Sequence, residues 1–407
     1  MSEFLSKANL SIVSALLPPN VATRVVDHLF ELGEQNALLF NARGTLIRDR
    51  WYQNFVPVIS PELDFLQFIV PDPQVDQIVE SITRIGQLHL PGAGAVFSVP
   101  CEDVEYGQEF ALWSSTGNEE DEIDHSHDLK ENLTAIFAIL QPDQVDAVSR
   151  AAMQAGAHGP IIFYCEGRGL RDRLGWLKIT KKGTKEVVTV IVDNVDKIAV
   201  TEAMIEAGRL DSPGRGFLFR MPVQKGLINL PSTVANRGHA ANMQQIIAAI
   251  DGIKGSTDWR DQSVVELGAG GKGAGISIFG REKKRNWLVD QECLSCIVSR
   301  KHSDTMLEAM LRAGATGANV TFAKFIEAES QTTASGIRLN RERGVIRCVL
   351  SRSLVSTVMQ AMKDTCIENE ITDICIFTQP ITRAITYLAP AHVGKVEQTY
   401  RGARMRA

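Results

Sequence analysis

The chain has 407 residues, 44% of them hydrophobic and 22% charged, with a formal net charge of −5. This is the composition of a globular chain long enough for two to four domains, and its slight acidic excess speaks against a general nucleic-acid binder, which carries a basic surplus. No apolar run approaches the roughly 18 residues of a membrane-spanning helix; Leu10 to Leu17 is too short and lacks the basic flank and cleavage site of a signal peptide, so a cytoplasmic location is the expectation.

The first apolar run, Leu10 to Leu17, reads as a strand, and a helix-like stretch from Pro19 ends at Gly33. After it come Arg43-Gly44 and Arg48-Asp49-Arg50, then a strand-like run from Leu63 to Val70. A glycine-rich passage closes this part: Gly86-Gln-Leu88-His-Leu-Pro91-Gly92-Ala-Gly94-Ala-Val-Phe97-Ser-Val-Pro100. Residues 116–130 carry Glu119-Glu-Asp-Glu122, Asp124 and Asp128 and read as a solvated acidic linker.

The order then repeats. Leu133 to Leu140 suits a buried strand. Asp143 is placed to cap a helix whose apolar face is Val145, Val148, Ala152 and Ala155, and Gly156 suits its C-terminus. Pro160 to Tyr164 reads as the next strand, followed by a polar loop, Glu166-Gly167-Arg168-Gly169-Leu-Arg171-Asp172-Arg173. Glu186 to Val192, Lys197 to Ala207 and Gly216 to Met221 complete a β-α-β-loop-β-α-β plan, the split βαβ or ferredoxin-like order. The passage Gly208-Arg-Leu210-Asp-Ser-Pro213-Gly214-Arg215-Gly216-Phe-Leu-Phe219-Arg-Met-Pro222 matches the first glycine-rich passage without a gap, as G-x-L-x-x-P-G-x-G-x-x-F-x-x-P.

Asn242 to Ile253 reads as an added helix, with Met243, Ile246, Ile247 and Ile250 on one face. Gly268 to Gly275 and Arg281 to Arg285 give a glycine-rich, then basic connector; the glycines do not fit the P-loop pattern. A third copy opens with Leu294 to Val298, reaches Gly314, has Val345 to Leu350 as its third strand and ends at Phe377-Thr-Gln-Pro380. From Gly33 to Pro100, Gly156 to Pro222 and Gly314 to Pro380 the distances are 67, 66 and 66 residues. The third copy has Ile371-Thr-Asp-Ile374 in place of the glycine turn. The expected fold is α+β, with three tandem βαββαβ modules. Their bounds are residues 8–115, 131–260 (with the added helix) and 286–390, joined by 116–130 and 261–285 and followed by a basic tail, 391–407.

Two features could hold an anion. Pro213-Gly214-Arg215-Gly216 can converge backbone N–H groups on a phosphate with Arg215 beside them, or it is simply a tight turn into a strand. The Arg168 loop is either a solvated loop or a basic arm that closes over a ligand or docks on a partner. Seven cysteines lie mostly in apolar runs and read as buried thiols in a reducing compartment. Cys293 and Cys296, three apart on a strand, should face opposite ways. No metal site is expected: His125 and His127 fall in the solvated linker. No nucleophile, base and orienter assemble from recognisable motifs, which favours binding over catalysis.

On the glycine turn, the loop after the second strand and the element order, the chain resembles the PII (nitrogen regulatory protein-like) signalling family. The resemblance is strongest at Leu210 to Pro222 and covers most of the chain. It implies an adenine nucleotide sensor that binds ATP or ADP in clefts between modules and contacts a regulated protein, such as a membrane transporter, through mobile loops. Carried to this sequence, Gly214, Arg215 and Gly216 would line the phosphates, with Gly167, Arg168 and Gly169 at the base of the mobile loop. Gly92 and Gly94 would form the corresponding turn of the first copy, where Ala93 replaces the arginine. Members of the family are trimers, so three modules in one chain are expected to fold as a monomeric pseudo-trimer. An enzyme, or a structural or metal-binding protein on the same scaffold, is the alternative.

Overall fold

The computed structural model describes residues 4–44, 62–90, 92–113, 129–169, 183–230, 285–328 and 341–387. The sequence-predicted helix at Asn242 to Ile253, the stretch Gly268 to Gly275, the pair His125 and His127, Arg48 to Arg50, Arg171 to Arg173 and the tail 391–407 lie outside the described residues.

After a short strand β1 (Leu5–Ser6), a first set of elements runs β2 (Leu10–Leu17), α1 (Pro19–Glu31), β3 (Asn36–Gly44), β4 (Glu62–Pro71), α2 (Val75–Gly86) and β5 (Gly94–Pro100), followed by β6 (Val104–Tyr106). A second set runs β7 (Leu133–Leu140), α3 (Val145–Gln154), β8 (Ile161–Gly169), β9 (Gly183–Asp193), α4 (Lys197–Gly208) and β10 (Gly216–Val223), followed by β11 (Gly226–Asn229). A third runs β12 (Gln291–Ser299), α5 (Ser303–Arg312), β13 (Gly317–Glu327), β14 (Arg341–Ser351), α6 (Arg352–Glu368) and β15 (Ile374–Pro380), followed by β16 (Arg383–Thr386). Among the described residues no helix is long and apolar enough to cross a membrane.

Each set pairs antiparallel in the order second, third, first, fourth strand, the ferredoxin-like arrangement. The physical cause is alternation. In β4, Leu66, Phe68 and Val70 face helices α1 and α2, while Phe65 and Ile69 face the other way. Each sheet therefore has its own helix-side core, and the opposite faces of all three sheets share one central core. Helices α1, α3 and α5 each end two residues before a glycine with positive φ, at Gly33 (107°), Gly156 (104°) and Gly314 (113°), the left-handed stop that L side chains avoid. The expected cap at Asp143 is displaced. The helix is entered through a 3-10 turn, Pro142–Gln144, capped by Gln141, whose backbone N–H donates to Gln144 Oε1 at 3.2 Å.

The three sets are stitched together in one rotational sense. Arg43 at the end of β3 pairs with Ile162 at the start of β8, Glu166 near the end of β8 pairs with Val320 in β13, and Lys324 near the end of β13 pairs with Leu39 in β3. The second strands thus close a triangle with a single register. The strands that follow each set add a second ring: Gly226 pairs with Phe97, Ala384 with Phe219 and Val104 with Phe377. Gly226, Ala384 and Val104 each stand four residues past the closing prolines Pro222, Pro380 and Pro100. The F-x-x-P ending seen in the sequence therefore marks the position where the next set's strand attaches.

Six of the seven cysteines are buried and Cys101 is half-buried, all as free thiols. Cys293 lies in the central core and Cys296 in the helix-side core, as a strand spacing of three requires.

Candidate functional site

The glycine-rich passages form the junction between the second helix and the fourth strand. At the end of α4, Arg209 is left-handed (φ 48°), the chain reverses, and the Leu210 N–H donates back to Ile205 O at 3.1 Å. Leu210 is fully buried and its side chain lies against both Gly208 and Gly216. In the first set Gln87 (φ 50°), Leu88, Gly86 and Gly94 repeat this geometry, with Leu88 N–H donating to Thr83 O at 2.9 Å. A Cβ on Gly94 or Gly216 would lie under 3.0 Å from Leu16 O or Ile139 O of the neighbouring strand, and both have φ near 150°. The spacing G-x-L-x-x-P-G-x-G is thus a leucine clasped between glycines, with a strand entering too close to its neighbour for any side chain. Gly92 (φ 82°) and Gly214 (φ 71°) complete the turns.

The third set keeps the left-handed residue and its backbone bond but has neither the glycines nor the turn. Glu370 is left-handed (φ 53°) and Ile371 N–H donates to Cys366 O at 2.9 Å, but β15 begins three residues after Ile371, whereas β5 and β10 begin six after Leu88 and Leu210. Helix α6 has 17 residues where α2 and α4 each have 12. Turn residues have been exchanged for helix.

Each glycine turn meets the strand that follows the next set. Thr386 of β16 donates from Oγ1 to Gly216 O at 2.9 Å, and Gln141 Nε2 reaches Gly214 O at 3.5 Å. Asn229 of β11 sits opposite Gly94, and its Nδ2 donates to Leu88 O. Gly214 is exposed, while Arg215 and Gly216 are half-buried. Beside the second turn stand half-buried Phe137, Ile139 and Phe217. Phe137 stacks on Phe219 at 5.1 Å and 12°, and Phe217 lies 5.9 Å from Phe219. At the positions of Phe137 and Phe217 the first set has Ser14 and Ala95 and the third has Ser295 and Cys375. The aromatic surface belongs to the second set alone, and no sequence motif marked it.

Gly167, Arg168 and Gly169 are placed elsewhere. They extend β8 and pair with Asn319, Ala318 and Gly317 of the third set. Within the second sheet they lie three strands from Gly216, about 14 Å at normal strand spacing. The structure brings the second glycine turn and the Gly167 to Gly169 segment to the same end of the sheet without bringing them into one contact. Gly92 and Gly94 belong to a separate junction, between the first and second sets.

Charged side chains tie these junctions. Lys225, just past β10, pairs with Asp76 of α2 at 2.6 Å, Lys363 of α6 with Glu105 of β6 at 2.8 Å, and Arg43 with Glu186 at 3.2 Å. Arg352 spans Glu102 (3.1 Å) and Glu292 (2.5 Å), where burial pushes the Glu292 carboxyl up to about 7. Among the described residues no group of three His, Cys, Asp or Glu side chains could hold a metal ion.

Neither a family model nor a curated protein matches the sequence. Among solved structures, the ligand-free regulatory subunit of aspartate kinase from Thermus thermophilus aligns over 50% of this chain and 95% of its own, at 14% identity and a TM-score of 0.18. Aspartate kinase from Synechocystis aligns over 93% of this chain, which spans 44% of its length, at 11% identity and a TM-score of 0.19. At such scores neither alignment speaks for fold or function.

Proposed function

We propose that the three sets are tandem copies of one PII-like module arranged as a covalent pseudo-trimer, and that the chain is a regulatory protein responding to a small ligand, ATP or ADP, bound at a junction between modules. The observation that carries this reading is the shared register. The second strands pair cyclically at equivalent positions, and each following strand, four residues past its own closing proline, attaches to the preceding module of the ring. A ring of this kind places three clefts between neighbours, and sequence divergence lets each cleft differ. The junction at Gly214, Arg215 and Gly216 is favoured as the ligand site. It joins an exposed glycine turn, a guanidinium, a strand from the third module and half-buried aromatic rings on which a base could stack. The first module's turn has Ala93 and no such rings, so Gly92 and Gly94 would serve as scaffold. Segments beyond Gly44 and Gly169 would contact the regulated protein, for which a membrane transporter is one class.

Calorimetry with ATP, ADP and cyclic AMP tests the reading. The wild type should bind one of them, and Arg215→Ala should weaken binding at least tenfold. Absence of binding by all three nucleotides overturns the nucleotide form of the proposal, and turnover of a bound nucleotide would make the chain an enzyme.

A further inference from the structure

Arg347 stands in the middle of β14, on the face turned to the central core, between Val345 and Val349. Its equivalents in the other third strands are Gln67 and Thr189. Ser14, Phe137 and Ser295 lie opposite these three in the first strands, and Leu38, Ile161 and Asn319 flank them in the second. One layer across the centre of the molecule thus carries Arg347, Gln67, Thr189, Ser14, Ser295 and Asn319, in a core otherwise made mainly of aliphatic, phenylalanine and cysteine side chains.

The Arg347 guanidinium is short of counter-charge. It donates from Nη2 to Gln67 Oε1 at 2.7 Å and lies 6.0 Å from the centre of the Phe40 ring. Among the described residues no carboxylate lies within ion-pair distance of it. The nearby thiols of Cys165 and Cys293 supply none: burial pushes them up to about 12 and about 11, so both are neutral. Burial also lowers the guanidinium's own affinity for its proton. The side chain is half-buried, so solvent reaches part of it, whereas Thr189, Ser295 and Ser14 of the same layer are buried. An unpaired charge in such a place is strongly disfavoured unless something neutralises it.

A second observation points the same way. Thr189 is fully buried and its Oγ1 has no hydrogen-bond partner, which is rare for an interior hydroxyl. Ser14 Oγ accepts from Gln67 Nε2 at 3.1 Å, leaving its own proton free to donate, and Ser295 Oγ has only a 3.9 Å approach to Cys293 Sγ. The layer is rich in donors and contains no carboxylate, the complement of an anion.

We propose that this central layer binds one small inorganic oxyanion, of the phosphate or sulfate type, with Arg347 as its charge partner and Thr189, Ser14, Ser295 and Asn319 as hydrogen-bond donors. The site is separate from the nucleotide junction at Arg215 and stands or falls independently of it.

Inorganic phosphate is the probe, titrated calorimetrically into the full chain in phosphate-free buffer, with thermal midpoints read alongside against chloride of equal ionic strength. The wild type should bind about one phosphate per chain and its midpoint should rise with phosphate by mass action. Arg347→Met should lower the affinity at least tenfold, and Thr189→Val, which keeps the side-chain shape, several-fold. Thr189→Val decides the matter if Arg347→Met does not fold. Saturating phosphate should leave ATP affinity unchanged. Any of three results overturns the proposal: no phosphate binding or midpoint rise beyond that of chloride, binding lost in Arg215→Ala but kept in Arg347→Met and Thr189→Val, or competition between phosphate and ATP for one site.

Discussion

Arg347 and Gln67 occupy the same position of the third strand in two different sets, and the guanidinium of one donates to the carboxamide of the other at 2.7 Å. Equivalent positions of two sheets thus hold a complementary pair that bridges them. Gln67→Leu should therefore destabilise the chain by about 1.5–3 kcal/mol, the loss of a hydrogen bond to a charged group. The double variant Gln67→Leu/Arg347→Met should recover most of that, because both partners are then apolar. Denaturant unfolding of the two single variants and the double closes the cycle, and strictly additive costs would show that the two side chains do not interact.

The glycine clasp predicts a sharp contrast between glycines that look alike in sequence. Gly94→Ala and Gly216→Ala each force a Cβ against a neighbouring carbonyl oxygen in a backbone conformation that alone costs about 1–3 kcal/mol. Gly183→Ala, at the start of β9, meets nothing nearer than Lys185 Cε at 4.0 Å. It should be neutral or stabilise by up to about 1 kcal/mol through the unfolded chain. Thermal midpoints of the three variants test the contrast, and equal losses at all three positions would refute the geometry.

This clasp also marks how far the sequence could be read. The repeat of 66 to 67 residues, the strand order and the end of the first helix at Gly33, Gly156 and Gly314 are all local, carried by spacing and by glycine's access to positive φ. The glycines of the turn were equally visible, but their cause was not. A phosphate turn and a strand pressed against Ile139 O demand the same residue, and only the neighbouring strand tells them apart. Gly167 to Gly169 read as the base of a loop, yet they pair with Gly317 to Asn319, a partner some 150 residues away that no local pattern announces. Arg347 did leave a trace, as a charged residue between Val345 and Val349 on the apolar phase of a strand. Its consequence depends on Gln67 and Thr189 meeting it at the centre, which is a property of the assembled ring.

Glu34 follows α1, fully enclosed, with Oε1 accepting from the Gln35 backbone N–H at 3.0 Å. Burial pushes its carboxyl from 4.5 up to about 8, against the smaller downward pull of the Gln35 and Asn36 N–H groups. The folded chain thus holds this proton where the unfolded chain has released it. Stability attributable to Glu34 should be greatest below about pH 4.5, fall as pH rises from 4.5 to 8, and level off above. Glu34→Gln keeps the acceptor and cannot ionise. The difference in unfolding free energy between variant and wild type should grow in the variant's favour across that interval, and a flat difference would place the Glu34 carboxyl in water.

The inter-set ion pairs should not be equal. Glu186 is almost completely buried (side chain 4% exposed) and its pairing with Arg43 joins the second set to the first. Arg43→Ala would leave a buried carboxylate short of its partner, a loss of about 1–3 kcal/mol. Lys225 and Asp76 are both solvent-accessible, and Lys225→Ala should cost roughly 0–1 kcal/mol and less in high salt. Urea midpoints at low and high ionic strength separate the two, and a salt-sensitive loss at Arg43 as small as that at Lys225 would contradict the burial of Glu186.

The cyclic pairing bears on assembly as well. In the described residues the second strands are partnered within the chain by one another, and the fourth strands β5, β10 and β15 by β11, β16 and β6. The edges on which separate copies of such a module would have to associate are therefore already occupied, and an occupied edge offers no backbone donors or acceptors to another chain. The chain should sediment as a single 44.7 kDa particle across a wide range of concentration. Deleting residues 383–387 removes β16, frees the edge of β10 and exposes Phe217. That variant should self-associate with rising concentration while the wild type does not. A particle of three full chains in the wild type would mean that the ring closes between molecules instead of within one.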